Sequence, residues 1–207
     1  GRDSIQTVRK SVVRIVGGEG EGSGFAVNGR ILTNFHVIEF EQNPKVILPD
    51  NSFTTAEIEY TEKALDLAVL KIDKPLPTLQ FGDENILEQT DELYALGFPF
   101  GGELAGELKE KKGILSGKRY SKDVGIVYLQ TDSTLNPGLS GGPMVNTCGE
   151  VVGINTLGGA GLGLAISSTS IQQIWKDMIE KAEDPLRNMN VLTIQENTDP
   201  LHTVEAF

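Results

Sequence analysis

The chain contains two histidines, His36 and His202, so chemistry that needs a side chain able to trade a proton near neutrality has few candidates. His202 lies in a featureless polar stretch. His36 follows Gly22-Ser23-Gly24-Phe25-Ala26-Val27 and Arg30-Ile31-Leu32-Thr33-Asn34-Phe35, which read as an apolar hairpin, and it precedes Val37 and Ile38. A nucleophile candidate stands further on, where Ser140 is embedded in Asn136-Pro137-Gly138-Leu139-Ser140-Gly141-Gly142-Pro143. A serine hydroxyl attacks a carbonyl only with a base to take its proton and donors for the developing oxyanion. Flanking glycines allow a backbone tight enough to present the hydroxyl and to aim the Gly138 and Ser140 N–H groups. The third member must be a carboxylate that orients the imidazole. Asp66, in Ala64-Leu65-Asp66-Leu67-Ala68-Val69-Leu70, has apolar neighbours on both sides, where an unpaired buried charge would be costly.

Each residue also has a plainer reading. The glycine-rich run could be a surface turn, a lone histidine is often a satisfied core residue, and Asp132 is a rival carboxylate that would otherwise shape the loop before Ser140. Asp50, Asp73, Asp83, Asp91 and Asp123 sit in turn-like or polar surroundings, where capping or solvation accounts for them. Together, a glycine-framed serine, a hairpin histidine and an apolar-flanked aspartate point to nucleophilic acyl transfer with His36 as base, Asp66 as its orienter and Ser140 as nucleophile.

The elements that must position them are short β-type runs: Val12-Val16, Gly24-Val27, Ile31-Ile38, Lys45-Leu48, Thr54-Tyr60, Leu67-Ile72, Leu93-Leu96, Gly113-Ser116, Ile126-Gln130, Val151-Thr156 and Leu162-Ser167. Turn residues punctuate most gaps, a pattern of antiparallel barrels or sandwiches. The class is all-β, and two barrels fit, split near Phe81-Asp91. One helix is expected, about 170–182, from the common face of Ile171, Ile174, Trp175, Met178, Ile179 and Ala182, with Thr169 and Gln172 as a capping box. The charged stretch Gly101-Lys112 reads as a solvated loop, and residues 185–207 as a tail or linker after a domain of residues 1–184. Arg14-Ile15-Val16-Gly17-Gly18 looks like a zymogen activation site but is more simply part of the first strand.

Composition narrows the partners. A net charge of −11 leaves no basic stripe for phosphates, so nucleic acid is an improbable partner. No apolar run approaches the length of a membrane span. Cys148 is the single cysteine of these 207 residues, so packing rather than an internal disulfide must hold the fold.

The segments around the three residues resemble the protease domain of the HtrA/Deg group of trypsin-like serine proteases, over about Ser11 to Ala182. The matching motifs are Gly22-Ser23-Gly24-Phe25, Thr33-Asn34-Phe35-His36-Val37, Asp66-Leu67-Ala68-Val69-Leu70, Gly97-Phe98-Pro99-Phe100-Gly101 and Asn136 through Pro143. The resemblance implies a double six-stranded β-barrel of the chymotrypsin type with a C-terminal helix and the triad in the cleft between lobes. It also implies peptide-bond hydrolysis through an acyl-enzyme, with no metal or cofactor, on unfolded or extended polypeptides. A homo-oligomer, a trimer in many relatives, and an extracytoplasmic location follow from the same resemblance.

By resemblance, Thr134, Asn136, Asn155, Thr156, Leu157, Gly158, Leu162 and Leu164 wall the first specificity pocket. Without an acidic floor, and with two leucines, that pocket would take small or medium aliphatic residues. One departure is Leu139, where the group usually carries asparagine before the nucleophile. Leucine cannot make those hydrogen bonds, so either support for the oxyanion loop comes from elsewhere or the loop rests in an inactive shape until a substrate or partner orders it. The alternative reading is a catalytically silent peptide-binding module of the same fold, resting on Leu139.

Overall fold

A computed structural model describes residues 2–99, 106–157 and 162–182. It opens on a helix the sequence pattern did not indicate, α1 (Arg2–Arg9), which buries only Ile5 and Val8, one turn apart. Two apolar positions in eight residues are too few to register as a period. The helix packs on the turn at Gly149, where a Cβ would lie 3.2 Å from Val8 Cγ2, and Arg9 pairs with Glu110 at 3.2 Å.

The first lobe contains β1 (Val12–Val16), β2 (Glu21–Val27), β3 (Arg30–Thr33), the one-turn helix α2 (Phe35–Ile38), β4 (Lys45–Ile47), β5 (Phe53–Thr55), β6 (Glu57–Glu62) and β7 (Leu67–Lys71). Its ladder is a seven-stranded antiparallel sheet ordered β5-β4-β1-β2-β3-β7-β6. The two edge strands are halves of one chain run, bent at the buried Ala56. The sheet therefore curls back on itself through a covalent corner rather than a last row of hydrogen bonds. The stretch Thr54-Tyr60, expected as one strand, is thus two strands that meet at a corner of the barrel. Val13, Ile15, Ala26, Ile31, Val46, Ala68 and Leu70 fill the interior.

The second lobe is a closed six-stranded barrel of β8 (Glu92–Gly97), β9 (Lys109–Ser121), β10 (Ile126–Thr131), β11 (Pro143–Val145), β12 (Val151–Leu157) and β13 (Gly163–Ser167), in the order β10-β13-β12-β11-β8-β9. Strand β9 corrects the reading of Lys109–Lys112 as a loop: these residues pair with Tyr94–Gly97. Their charges are tolerated because one face of an antiparallel sheet can meet water, and Lys112 uses that face to bond Glu92 at 2.8 Å. The core holds Leu93, Ala95, Leu115, Leu129, Met144, Val152 and Ala165, and it also takes Leu139 from the loop ahead of Ser140.

The last element is α3 (Ser168–Ala182), two residues longer at its start than expected. Its first turn has a local cap from Ser167 Oγ, which accepts from Ser170 N–H at 3.4 Å, in place of the expected Thr169–Gln172 box. Glu84, 2 % exposed, reaches from the connection between the lobes to accept from Thr169 N–H at 3.0 and 3.1 Å and from the Ser168 hydroxyl. A carboxylate at the positive end of a helix does the work that a side chain three residues along would have done.

Candidate active site

Asp66 and His36 meet because two tight corners are tied to each other. Asp66 closes a one-turn 3₁₀ helix (Lys63–Leu65) in the left-handed region, φ 53° and ψ 45°, and donates its N–H to Lys63 O at 3.1 Å. Aspartate tolerates that conformation better than most residues, and here Asn34 Nδ2 also holds the Asp66 carbonyl at 2.8 Å. Asn34 occupies the cap position of α2, yet its side chain makes no capping bond. The cap comes from Asp66 instead: Oδ1 accepts from the His36 main-chain N–H at 2.9 Å, while Oδ2 accepts from His36 Nδ1 at 2.7 Å.

One carboxylate thus fixes both the backbone and the ring of the same histidine. An ionised carboxylate can only accept, so the proton stands on Nδ1 and the Nε2 lone pair is left to act as a base. Contrary to the expected buried carboxylate, the Asp66 side chain is 34 % exposed and that of His36 40 %. Asp66 lies just before β7, and only the run that follows, Leu67–Leu70, is buried. Its charge reaches the second lobe: burial first, and then Asp66, hold the Tyr128 phenol above its ordinary pKa.

The nucleophile loop of the second lobe is seated against the first. Gly141 has φ +86°, and a Cβ there would lie 2.1 Å from Ser23 O, 2.5 Å from Thr33 Oγ1 and 3.2 Å from Asn34 N. Gly22 would meet Val37 Cγ2 at 2.5 Å and Ser140 O at 3.0 Å. The loop therefore abuts Thr33 and Asn34, just before His36, and Gly22, which in turn lies against Val37. Ser140 is 3 % exposed, and its Oγ has no hydrogen-bond partner among the described residues. No hydrogen bond joins Ser140 Oγ to the imidazole.

The loop is open where an oxyanion would sit. Leu139 N–H donates to Asn136 O at 3.1 Å across Pro137 and Gly138, and Gly138 has φ +96°. Proline followed by glycine at positive φ makes a type II turn. Among the described residues neither the Gly138 nor the Ser140 N–H donates to a protein acceptor. Leu139 is 1 % exposed and points into the barrel core, so it anchors the loop by packing, worth about 2 kcal/mol for a buried leucine.

The expected pocket walls come together in part. Gly163 brings β13 against the segment before the nucleophile, since a Cβ there would lie 2.2 Å from Ser133 O and 3.2 Å from Leu135 Cγ. Thr156 and Leu164 face each other in register, as do Leu157 and Gly163. Thr134 and Asn136 are exposed, and Leu162 and Leu164 half-buried. Asn155 is different: it is fully buried, with Nδ2 on the carbonyls of Leu96 and Pro143 and its main chain bonded to Gly141 and Gly142. It supports the nucleophile loop from behind and offers no wall to a ligand. Gly158 lies outside the described residues.

Ser23, Thr33 and Asn34 were visible in the sequence as parts of motifs, but nothing gave them roles. They act on main-chain groups of distant segments, which no spacing pattern reports.

Comparison with known proteins agrees with this geometry. The sequence profile described as the trypsin-like peptidase domain matches residues 22–154. The chain is 38 % identical over 201 residues to a "Probable periplasmic serine endoprotease DegP-like" of Rickettsia prowazekii, covering 90 % of this chain and 38 % of that protein. It is 43 % identical over 155 residues to a protein of the same description from Pseudomonas savastanoi, covering 70 % of this chain and 32 % of that one. The chain thus spans under half the length of these relatives. Among solved structures, the serine endoprotease from Yersinia pestis superposes with a TM-score of 0.75 at 30 % identity, over 87 % of this chain and 67 % of that one. The HtrA-type protease AlgW with tripeptide gives 0.77 at 29 % identity, over 86 % and 63 %. Profile, relatives and superpositions converge on one assignment: the chain belongs to the trypsin-like peptidase family, as an HtrA/Deg-like protease domain.

Proposed function

We propose that the chain is a serine endopeptidase in which His36, Asp66 and Ser140 form the catalytic triad and the N–H groups of Gly138 and Ser140 the oxyanion hole. The observation that carries this reading is the two-point attachment of His36 to Asp66, which leaves Nε2 to act as a base, together with a loop serine whose hydroxyl has no partner among the described residues. In the reaction, Ser140 Oγ bonds to the substrate carbonyl carbon while its proton passes to His36 Nε2. The tetrahedral oxyanion takes the two N–H groups, and collapse expels the amine, which recovers the proton from His36. Water then repeats the sequence on the acyl-enzyme ester. The Gly138 turn favours this reading over a silent binding module, because Leu139 secures the loop by packing and so removes the main support for that alternative.

A fluorophosphonate probe tests the proposal. It should attach covalently to Ser140 in the wild type and fail to attach to Ser140→Ala; a wild type that stays unlabelled under every condition would sink it.

The substrates we propose are unfolded or extended polypeptides cut after small or medium aliphatic residues. Leu164, in register with Thr156, and Leu162 two residues before it support the aliphatic preference, and Lys111 Nζ, 2.6 Å from the Thr134 carbonyl, disfavours a basic side chain there. Cleavage sites mapped on unfolded casein should follow residues such as valine and alanine; clustering after lysine, arginine or glutamate would refute the preference. The names of the Rickettsia and Pseudomonas relatives favour an extracytoplasmic location. Among the described residues, no helix is long and apolar enough to cross a membrane.

A further inference from the structure

We propose that Ser23 is the positioning residue that locks the oxyanion loop in its working shape, supplying from the first lobe the polar support that Leu139 cannot give. The inference rests on the reading of Ser140 as nucleophile. Ser23 lies in β2 and is fully buried. Its hydroxyl has two neighbours of fixed character: Phe98 N–H can only donate and does so at 2.8 Å, while the Gly138 carbonyl can only accept and lies at 2.7 Å. The direction of both bonds is therefore forced, Phe98 N–H to Oγ and Oγ–H to Gly138 O. The main chain of the same residue donates to Ser140 O at 2.9 Å and accepts from Thr33 Oγ1 at 2.7 Å. One residue thus grips the carbonyls on both sides of Leu139.

The grip matters because the turn cannot hold itself. A type II and a type I turn differ by reversal of their central peptide, here Pro137–Gly138, and glycine accepts either sign of φ at its position. In the type II form Gly138 N–H is free for an oxyanion; reversal would turn it away. The peptide unit is planar, so holding Gly138 O fixes the Gly138–Leu139 plane, and a reversal of the preceding peptide would have to be absorbed by ψ of Pro137 and the φ of +96° at Gly138 alone, with no give from the rest of the loop. Room for the hydroxyl is itself provided: a Cβ on Gly97 would lie 2.8 Å from Ser23 Oγ. Losing one oxyanion donor costs 10²–10³-fold in kcat, and losing the bond that aims it should cost somewhat less.

The test compares wild type, Ser23→Ala and Ser23→Cys, the last keeping the size of the side chain with a far weaker donor. With a fluorogenic peptide, Ser23→Ala should lose about 10–100-fold in kcat with KM within about threefold. Affinity for a peptide boronate, whose tetrahedral adduct on Ser140 fills the hole, should fall by the same factor. Affinity for the uncleaved peptide, measured in a Ser140→Ala background, should not change, which separates aiming of the oxyanion donors from damage to the cleft. A folded Ser23→Ala that keeps kcat and boronate affinity within twofold overturns the proposal; if that variant does not fold, Ser23→Cys is judged by the same criteria. A wild type that takes no fluorophosphonate sinks the hydrolase reading instead. The lock is then judged by NMR: the Gly138 and Leu139 amides should split or broaden into two states in the Ser23 variants, and sharp, unshifted signals overturn it.

Discussion

Asp66→Asn is expected to lower kcat on a peptide substrate by about 10⁴-fold with a much smaller change in KM, as the loss of a tautomer-setting carboxylate does in a serine triad. The size follows from counting donors. Asp66 accepts two hydrogen bonds from one histidine, from its main-chain N–H and from Nδ1. An asparagine has one acceptor and one donor at those two places. If its oxygen stays on the main-chain N–H, its NH₂ faces Nδ1, which must then accept, and the ring proton moves to Nε2. Nε2 can no longer take the proton from Ser140. If the amide turns over, its NH₂ confronts the His36 N–H and the cap of α2 is lost. Neither arrangement leaves a competent base, and the fold is retained because Asn34 still holds the main chain at position 66. Steady-state kinetics on the purified variant decide the matter: a loss below tenfold would mean that another group sets the imidazole.

How much of this was legible beforehand depended on what kind of signal each feature leaves. The candidates His36, Asp66 and Ser140 could be picked out because the chemistry demands scarce residue types, with one plausible histidine in the chain and a serine set in the glycine-rich run 136–143. The β class was legible from short alternating runs. The left-handed corner at Asp66 was not: its apolar neighbours suggested a buried carboxylate, whereas the strand begins at Leu67, as read, and Asp66 sits in the tight corner before it. The helical turn at His36 was hidden for a similar reason: Phe35, Val37 and Ile38 look like strand residues, and a four-residue turn capped by a distant carboxylate carries no local cap of its own. Strand β11, three residues long, is too brief to show alternation. The roles of Ser23, Asn34 and Glu84 are carried by hydrogen bonds to segments far along the chain, so only coordinates could reveal them.

Gly141→Ala should reduce kcat/KM by at least about 100-fold and lower stability by about 3 kcal/mol. Two costs add. A non-glycine residue at φ +86° pays roughly 1–2 kcal/mol for the left-handed conformation. The larger cost is the collision, because the nearest atom to a Cβ at 141 is the Ser23 carbonyl oxygen at 2.1 Å, a main-chain atom that cannot rotate aside. Relief requires the nucleophile loop to back away from the first lobe by about 1 Å, and a misplacement of that size is what costs a positioned nucleophile two orders of magnitude. The same movement would stretch the bond from Ser23 N–H to Ser140 O, so base, nucleophile and oxyanion donors would fall out of register together. Gly125→Ala separates the two costs. Its φ is +69°, yet nothing lies within 4 Å of its Cβ position, so it should lose about 1 kcal/mol and no activity. Thermal melts and kcat/KM for the pair discriminate: equal, small effects at both positions would show that the contact at Gly141 does not hold the nucleophile loop in register with the first lobe.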